Sequence, residues 1–359
     1  MKEKKFTIAV LPGDGIGPEV IEQGVKVLKA IGTIYDIQFD LQYADMGAVA
    51  IDKTGEALPK STLQICMIAD AVLVGAIGEP RFDDPKLKVR PEQGLLALRK
   101  SLGLFCNVRP VRAYENLLDL SPLKLEYVSG SDLVIYRELT GGIYFGEQGR
   151  KENNTYAYDV CGYHIFEIER IVRLAFEAAR LRKHKVTLVD KANVLESSRM
   201  WREVFDDISK DFADVSTDYV LVDNATMQMI LAPAKFDVIV TSNIFGDIIS
   251  DEASVICGSL GMLPSASLGE EHSLFEPVHG SYPAAAGKNI ANPLATILSV
   301  ALMLRHLGVE AGALQIEEAV AHCLDEGFLT EDLCIDKSMA CTCSEVGDAV
   351  ATAIRQPVV

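Results

Sequence analysis

Two spacings of apolar residues take turns along this chain. Short, β-rich apolar runs at Phe6–Leu11, Ala71–Ile77, Asp132–Tyr136, Val186–Val189, Tyr219–Val222 and Val238–Val240 read as covered strands. Asp36–Tyr43 alternates strictly, with Ile37, Phe39, Leu41 and Tyr43 on one side, which predicts a half-buried strand. Between these runs the apolar period lengthens. Pro18–Lys29, Phe166–Lys183, Glu196–Ser209 and Leu294–Leu307 predict helices, with Pro18 suited to a first turn and Val20, Val25 and Leu28 on an inner face. Two more helices are expected around Ile316–Leu324 and Glu345–Ile354. The alternation argues an α/β protein with a largely covered sheet. Gly141–Tyr163 stands apart, with Gly141-Gly142, Gly146, Gly149 and Asn153-Asn154 among several tyrosines. It reads as a protruding hairpin that packs on a partner, or as a plain surface loop.

A chain of 359 residues, 49% of them hydrophobic, can bury two domains' worth of core. Its formal net charge of −17 argues against nucleic-acid or anionic-membrane partners. An anionic substrate would therefore need positive charge gathered in one pocket. The first apolar run breaks at Pro12-Gly13-Asp14-Gly15 and is too short for a signal peptide. The longest, Leu294–Leu304, is too short to span a bilayer and suits a buried helix. Cys66, Cys106, Cys161, Cys257, Cys323, Cys334, Cys341 and Cys343 are scattered, and Cys341-Thr342-Cys343 lacks zinc-knuckle spacing. The expectation is a cytoplasmic protein with reduced thiols, in which Cys334, Cys341 and Cys343 have no assigned role.

Gly13-Asp14-Gly15-Ile16-Gly17-Pro18-Glu19 follows a strand and opens a helix, but Pro18 stands where the dinucleotide fingerprint needs its third glycine. These glycines are expected to make a structural turn. More informative is Asn243-Ile244-Phe245-Gly246-Asp247-Ile248-Ile249-Ser250-Asp251. On a helix, Asp247 and Asp251 share one face; the pair is an ordinary solvated face or a ligand pair for a hard divalent ion. Arginines add a second clue. Arg99 lies on an apolar helix, and Arg109 and Arg137 are expected at strand ends, where α/β proteins bind ligands. Each by itself reads as a surface charge or an ion-pair partner; together they can hold the two carboxylates of a diacid.

The motif from Gly13 to Glu19, Leu95-Leu96-Ala97-Leu98-Arg99, Arg137-Glu138-Leu139-Thr140-Gly141-Gly142, Asp190-Lys191-Ala192-Asn193, Asn243-Ile244-Phe245-Gly246-Asp247 and Glu276-Pro277-Val278-His279-Gly280-Ser281 resemble, in unbroken order, those of the β-decarboxylating dehydrogenases. Members of that family act on isopropylmalate, isocitrate, homoisocitrate and tartrate. The resemblance implies an open, non-Rossmann α/β sheet in two domains with a cleft between them. The first domain would be discontinuous, 1–104 plus 258–359, and carry the cofactor loop. The second, 105–257, would carry the dimer interface and an intersubunit arm near 141–163.

The resemblance also assigns roles. Arg99, Arg109 and Arg137 look like a clamp on malate carboxylates, Tyr144 like a proton donor and Lys191 like the base. Asp247 and Asp251 look like ligands of Mg²⁺ or Mn²⁺, joined by Asp223, which also borders the substrate. In the family that third aspartate and the lysine come from the other subunit, implying a homodimer with shared sites. Gly78, Glu92, Glu276, His279, Gly280, Ser281, Tyr282 and Asn292 are the implied cofactor contacts. Leu95, Leu96 and Val194 offer an apolar wall, fitting an isopropyl group better than a third carboxylate. One departure stands out. NAD-specific relatives carry aspartate at position 284 and NADP-specific isocitrate enzymes carry lysine then tyrosine at 284 and 285, whereas this chain has Ala284 and Ala285. With no cation visible for a 2′-phosphate, the expected cofactor is NAD, bound without the usual ribose contact. A non-catalytic regulatory subunit is the alternative from another class, and it should have lost one of these residues.

Overall fold

The structure, a computed structural model, describes residues 4–84 and 86–354. It forms two compact units, Met1–Leu104 with Ser259–Val359, and Phe105–Gly258.

In the first unit the strands run in the order Ile37–Tyr43, Lys4–Gly13, Ala71–Ala76, Ser273–Pro277, Pro264–Leu268. The first four are parallel and the last is antiparallel to its neighbour. Four longer helices, Gly17–Tyr35, Leu294–His306, Glu310–Asp325 and Cys343–Ala353, pack on one another. Every residue from Leu294 to Ala301 is buried, so this helix is apolar all round and belongs to the core. The first helix outlasts the expected Lys29 because Ile31 still reaches the core. It ends where Asp36 turns left-handed and bonds back to the Gly32 carbonyl. The alternation expected of Ile37–Tyr43 is incomplete. Asp40 and Leu41 are both half-buried and Tyr43 is exposed, as befits a strand with only one neighbour in its sheet.

In the second unit the order is Cys106–Arg112, Asp132–Glu138, Val238–Thr241, Lys185–Asp190, Ser216–Leu221, the first pair antiparallel and the rest parallel. Ile165–Arg180 and Glu196–Ser209 cover it with apolar faces centred on Phe176, Trp201 and Phe205. Phe176 lies 5.1 Å from Phe205 and 5.0 Å from Phe212, ring to ring. Burying each such ring stabilises the unit by about 1.5–3 kcal/mol.

Two expectations need correction, and one strand pair was not foreseen. The run Tyr219–Val222 is split: its strand is Ser216–Leu221, and Val222 begins a helix to Leu231. Arg109 lies in the middle of Cys106–Arg112 rather than at its end. The pair Pro264–Leu268 and Ser273–Pro277 gave no clear strand signal, since its serines and prolines are buried without strong apolar alternation. The Gly- and Tyr-rich segment forms a turn at Gly142–Tyr144 and an antiparallel ribbon, Gln148–Lys151 with Tyr156–Asp159. Glu152, Asn153 and Asn154 at its tip take positive φ, and the ribbon's side chains are largely exposed. Among the described residues no helix is long and apolar enough to cross a membrane. The eight cysteines are free thiols, five of them buried.

Candidate active site

Strand, turn and helix of the second unit bring five predicted residues together. Neighbouring antiparallel strands carry Arg109 and Arg137. Opposite them the helix Asn243–Ser254 turns Asp247 and Asp251 to one side, as the four-residue spacing requires. Arg109 donates to Asp251 Oδ1 at 2.8 Å and to Asn107 Oδ1 at 2.9 Å. Arg137 pairs with Asp247 and donates from Nε and Nη2 to Asn243 Oδ1 at 3.2 and 3.0 Å. The hydroxyl of Tyr144 donates to Asp247 Oδ2 at 2.8 Å. Partial burial, with the Asp247 carboxylate beside it, raises the phenol's pKa, so the protonated form is favoured.

Two features hold Arg137 in place. Asn243 is itself fixed, its amide N–H donating to Tyr163 Oη at 2.9 Å and its side chain to the Gly141 carbonyl at 3.3 Å. Gly246 leaves room: a Cβ there would lie 2.5 Å from Cγ and 2.7 Å from Cβ of Arg137. Neighbouring Glu138 is fully buried and accepts from the Thr140 and Gly141 amides at 2.9 and 2.7 Å. It thereby fixes the turn that leads to Tyr144, at the cost of a pKa raised by desolvation.

Lys191 and Asp223 form a separate pair, Nζ to Oδ1 at 2.6 Å. The Lys191 amide donates to Ser198 Oγ at 3.1 Å, and buried Asp190 beside it is clasped by Arg202. Asp223, in the first turn of Val222–Leu231, does not join Asp247 and Asp251. Among the described residues no three acidic, histidine or cysteine side chains gather as a metal cluster. The two helical aspartates nevertheless suit a hard divalent cation by donor type, because each offers carboxylate oxygen.

The other predicted residues belong to the first unit. Arg99, on the helix Pro91–Ser101, pairs with nearly buried Glu276 at 2.5 Å. On the same helix Leu95 packs against the core while Leu96 is exposed. Val194, in the second unit, is exposed too. Gly78, Glu92 and Ser281 are neighbours: a Cβ on Gly78 would come within 3.4 Å of the Glu92 carboxylate and 3.6 Å of Ser281 Oγ. Gly78 takes φ of +128° and donates its N–H to Asp14. Buried Asp14 also accepts from the Ala48 and Val49 amides. The Gly13–Glu19 motif is thus a turn built round an aspartate.

A cavity of about 380 Å³ opens beside it, lined by Ile16, Leu260, Ile290 and Ala291, and by polar His279, Tyr282, Asn292, Glu331, Asp332 and Lys337. His279 Nδ1 donates to the Gly280 carbonyl at 2.9 Å, but its buried Nε2 has no partner. Burial lowers its pKa, which favours the neutral ring. Asn292 donates to Asp332 at 3.0 Å and accepts from the Leu294 amide at 3.0 Å, fixing the cavity wall. The size, apolar slot and one orphaned polar atom fit the adenosine half of a dinucleotide.

A family model described as isocitrate/isopropylmalate dehydrogenase matches residues 7–350. The chain belongs to the isocitrate/isopropylmalate dehydrogenase family. It is 54% identical to the 3-isopropylmalate dehydrogenase of Geobacillus kaustophilus, over 97% of this chain and 95% of that one. It is 53% identical to the enzyme of the same name from Vibrio parahaemolyticus, over 98% of each. Among solved structures, an isocitrate dehydrogenase from Methylococcus capsulatus superposes with a TM-score of 0.84 at 35% identity, covering 98% of this chain and all of that one.

Within this family fold, several site residues carried no signal in the sequence reading. Asn243 and Gly246 lie inside a quoted motif, yet their service to Arg137 depends on a contact spanning more than one hundred residues. Glu331, Asp332 and Lys337 lie in a loop beyond the last quoted motif. Nothing in their spacing pointed to the cavity they line.

Proposed function

We propose that this chain is an NAD-dependent, divalent-metal-dependent 3-isopropylmalate dehydrogenase of leucine biosynthesis, working as a cytoplasmic homodimer with shared sites. The observation that carries the reading is the knot of Arg109, Arg137, Tyr144, Asp247 and Asp251. Two guanidiniums and two carboxylates there balance in charge. A substrate dianion with a divalent cation would keep that balance, because Arg109 and Arg137 suit substrate carboxylates and Asp247 and Asp251 would hold the cation.

Arg109 and Arg137, with Arg99, bind and orient the malate carboxylates. Lys191 accepts the proton of the substrate's hydroxyl as its carbon gives up hydride, and the oxidised acid then loses carbon dioxide. Tyr144 gives a proton to the carbon that has lost carbon dioxide, which kept the electron pair of the broken bond, and its raised pKa keeps the acid form available. Asp247 and Asp251 would hold Mg²⁺ or Mn²⁺, which would supply Lewis-acid stabilisation of negative charge on oxygen, and the residues of the His279 cavity would hold NAD⁺, the hydride acceptor. The pairing of Lys191 with Asp223, away from the other aspartates, supports delivery of both to the site of a second subunit. Helices Val222–Leu231 and Asn243–Ser254 pack together and expose Met227, Ile230, Leu231 and Ile248. An apolar face of this kind favours a partner. The ribbon Gln148–Asp159 is the proposed arm, since two strands alone are marginal in water. Exposed Leu96, with Leu95 packed behind it, and exposed Val194 are the apolar groups assigned to the isopropyl group.

The test is NADH formation from 3-isopropylmalate with Mg²⁺, run beside isocitrate and D-malate and with NADP⁺ in parallel. Preferred turnover of isocitrate or D-malate would overturn the substrate assignment, and silence with every substrate would favour a regulatory subunit.

A further inference from the structure

The sequence shows no ribose-binding acid at position 284 and no cation for a phosphate. The fold places both kinds of group in the cavity from elsewhere. Glu331 and Lys337 line it and pair at 2.8 Å, Glu331 Oε1 accepting from Lys337 Nζ. Asp332, the other carboxylate on the wall, is already engaged. Oδ1 accepts from Thr330 at 2.6 Å, and Oδ2 accepts from Asn292 at 3.0 Å and from Ser259. Of the two acids only Glu331 keeps an oxygen, Oε2, outside these bonds. Ala284 is exposed and too short to reach any hydroxyl. Buried Nε2 of His279, partnerless on the same wall, is left as an acceptor for a donor group of a ligand.

We infer that Glu331, steadied by Lys337, takes the adenosine ribose hydroxyls and thereby selects NAD⁺ over NADP⁺. This inference rests on the dehydrogenase reading of the cavity. A carboxylate accepts from a 2′-hydroxyl, whereas a 2′-phosphate carries a charge of about −1.5 to −2 near neutrality and would meet Glu331 and Asp332 with one lysine in compensation. Lys337 then has two opposed effects. It orients Glu331 for NAD⁺, and it leaves a residual tolerance for NADP⁺.

Dissociation constants for NAD⁺, NADP⁺ and adenosine 2′-monophosphate, measured by calorimetry on the full chain without substrate, test this. Glu331→Gln should weaken NAD⁺ about tenfold, the lower end for a charge-assisted hydrogen bond, and strengthen NADP⁺ and the monophosphate. Lys337→Gln should move the NADP⁺ to NAD⁺ preference the other way. Ala284→Asp should restore NAD⁺ affinity in the Glu331→Gln protein while adding little to the parent. An unchanged preference in Glu331→Gln, with NAD⁺ still bound by the parent, would overturn the inference alone. A parent protein that binds neither dinucleotide would overturn it together with the dehydrogenase reading.

Discussion

Gly246→Ala tests how the clamp is built. In an isolated helix alanine is favoured over glycine by about 1 kcal/mol, so helix propensity alone predicts a more stable protein. The contacts predict otherwise. Carbon atoms pack best at about 3.5–4.0 Å, but the new methyl would lie 2.5 Å from Cγ and 2.7 Å from Cβ of Arg137. The arginine or the helix must yield by about 1 Å. The Arg137 Cβ is fixed to its strand, and the guanidinium is held by Asn243 and Asp247, so neither end moves freely. Overpacking of this kind costs about 1–3 kcal/mol. Set against the helical gain, the net is a loss of roughly 0–2 kcal/mol, a fall of a few degrees in Tm. Under the substrate-binding role proposed for Arg137 catalysis should suffer more, because displacing such a group by about 1 Å can cost on the order of a hundredfold in rate. Steady-state kinetics with 3-isopropylmalate and a thermal melt on the same preparation separate the two effects. A variant with raised Tm and kcat/KM within twofold of the parent would refute the claim that Gly246 exists to seat Arg137.

Asp247→Asn should leave the fold intact and lower metal-dependent turnover by at least about a hundredfold, with Mn²⁺ binding followed by electron paramagnetic resonance. Full turnover with normal Mn²⁺ affinity would remove Asp247 from the metal site. His279 gives a pH dependence with a definite sign. Burial lowers its pKa below the ordinary value of about 6.5, and does the same for His306. The unfolded chain therefore binds protons near 6.5 that the native chain refuses. The stability from the neutral rings is complete above that value and is lost as pH falls through the lowered native values. Urea midpoints measured from about pH 7.5 down to 5 should fall less for His279→Gln than for the parent; identical slopes would show that His279 is not held neutral by burial.

Much of this protein can be read along the chain because its determinants are local. A buried strand needs a short apolar run, as Val238–Thr241 does, and a covering helix needs a face, as Glu196–Ser209 does. The spacing of Asp247 and Asp251 fixes their common side once the segment is helical. Ordered motifs did the rest, carrying the family assignment and the proposed roles of the reactive side chains. Other features depend on distant partners and leave no periodic trace. The antiparallel pair of Pro264–Leu268 and Ser273–Pro277 is held by its neighbours rather than by alternation. Asn243 and Gly246 gain meaning only when Arg137 is packed against them. Glu331 and Lys337 become pocket residues only when their loop folds over the cavity beside His279. Sequence spacing thus settled which chemical groups are present and on which elements. The tertiary structure alone decided which of them meet, because electrostatic and packing contacts depend on distance in space and not on separation along the chain.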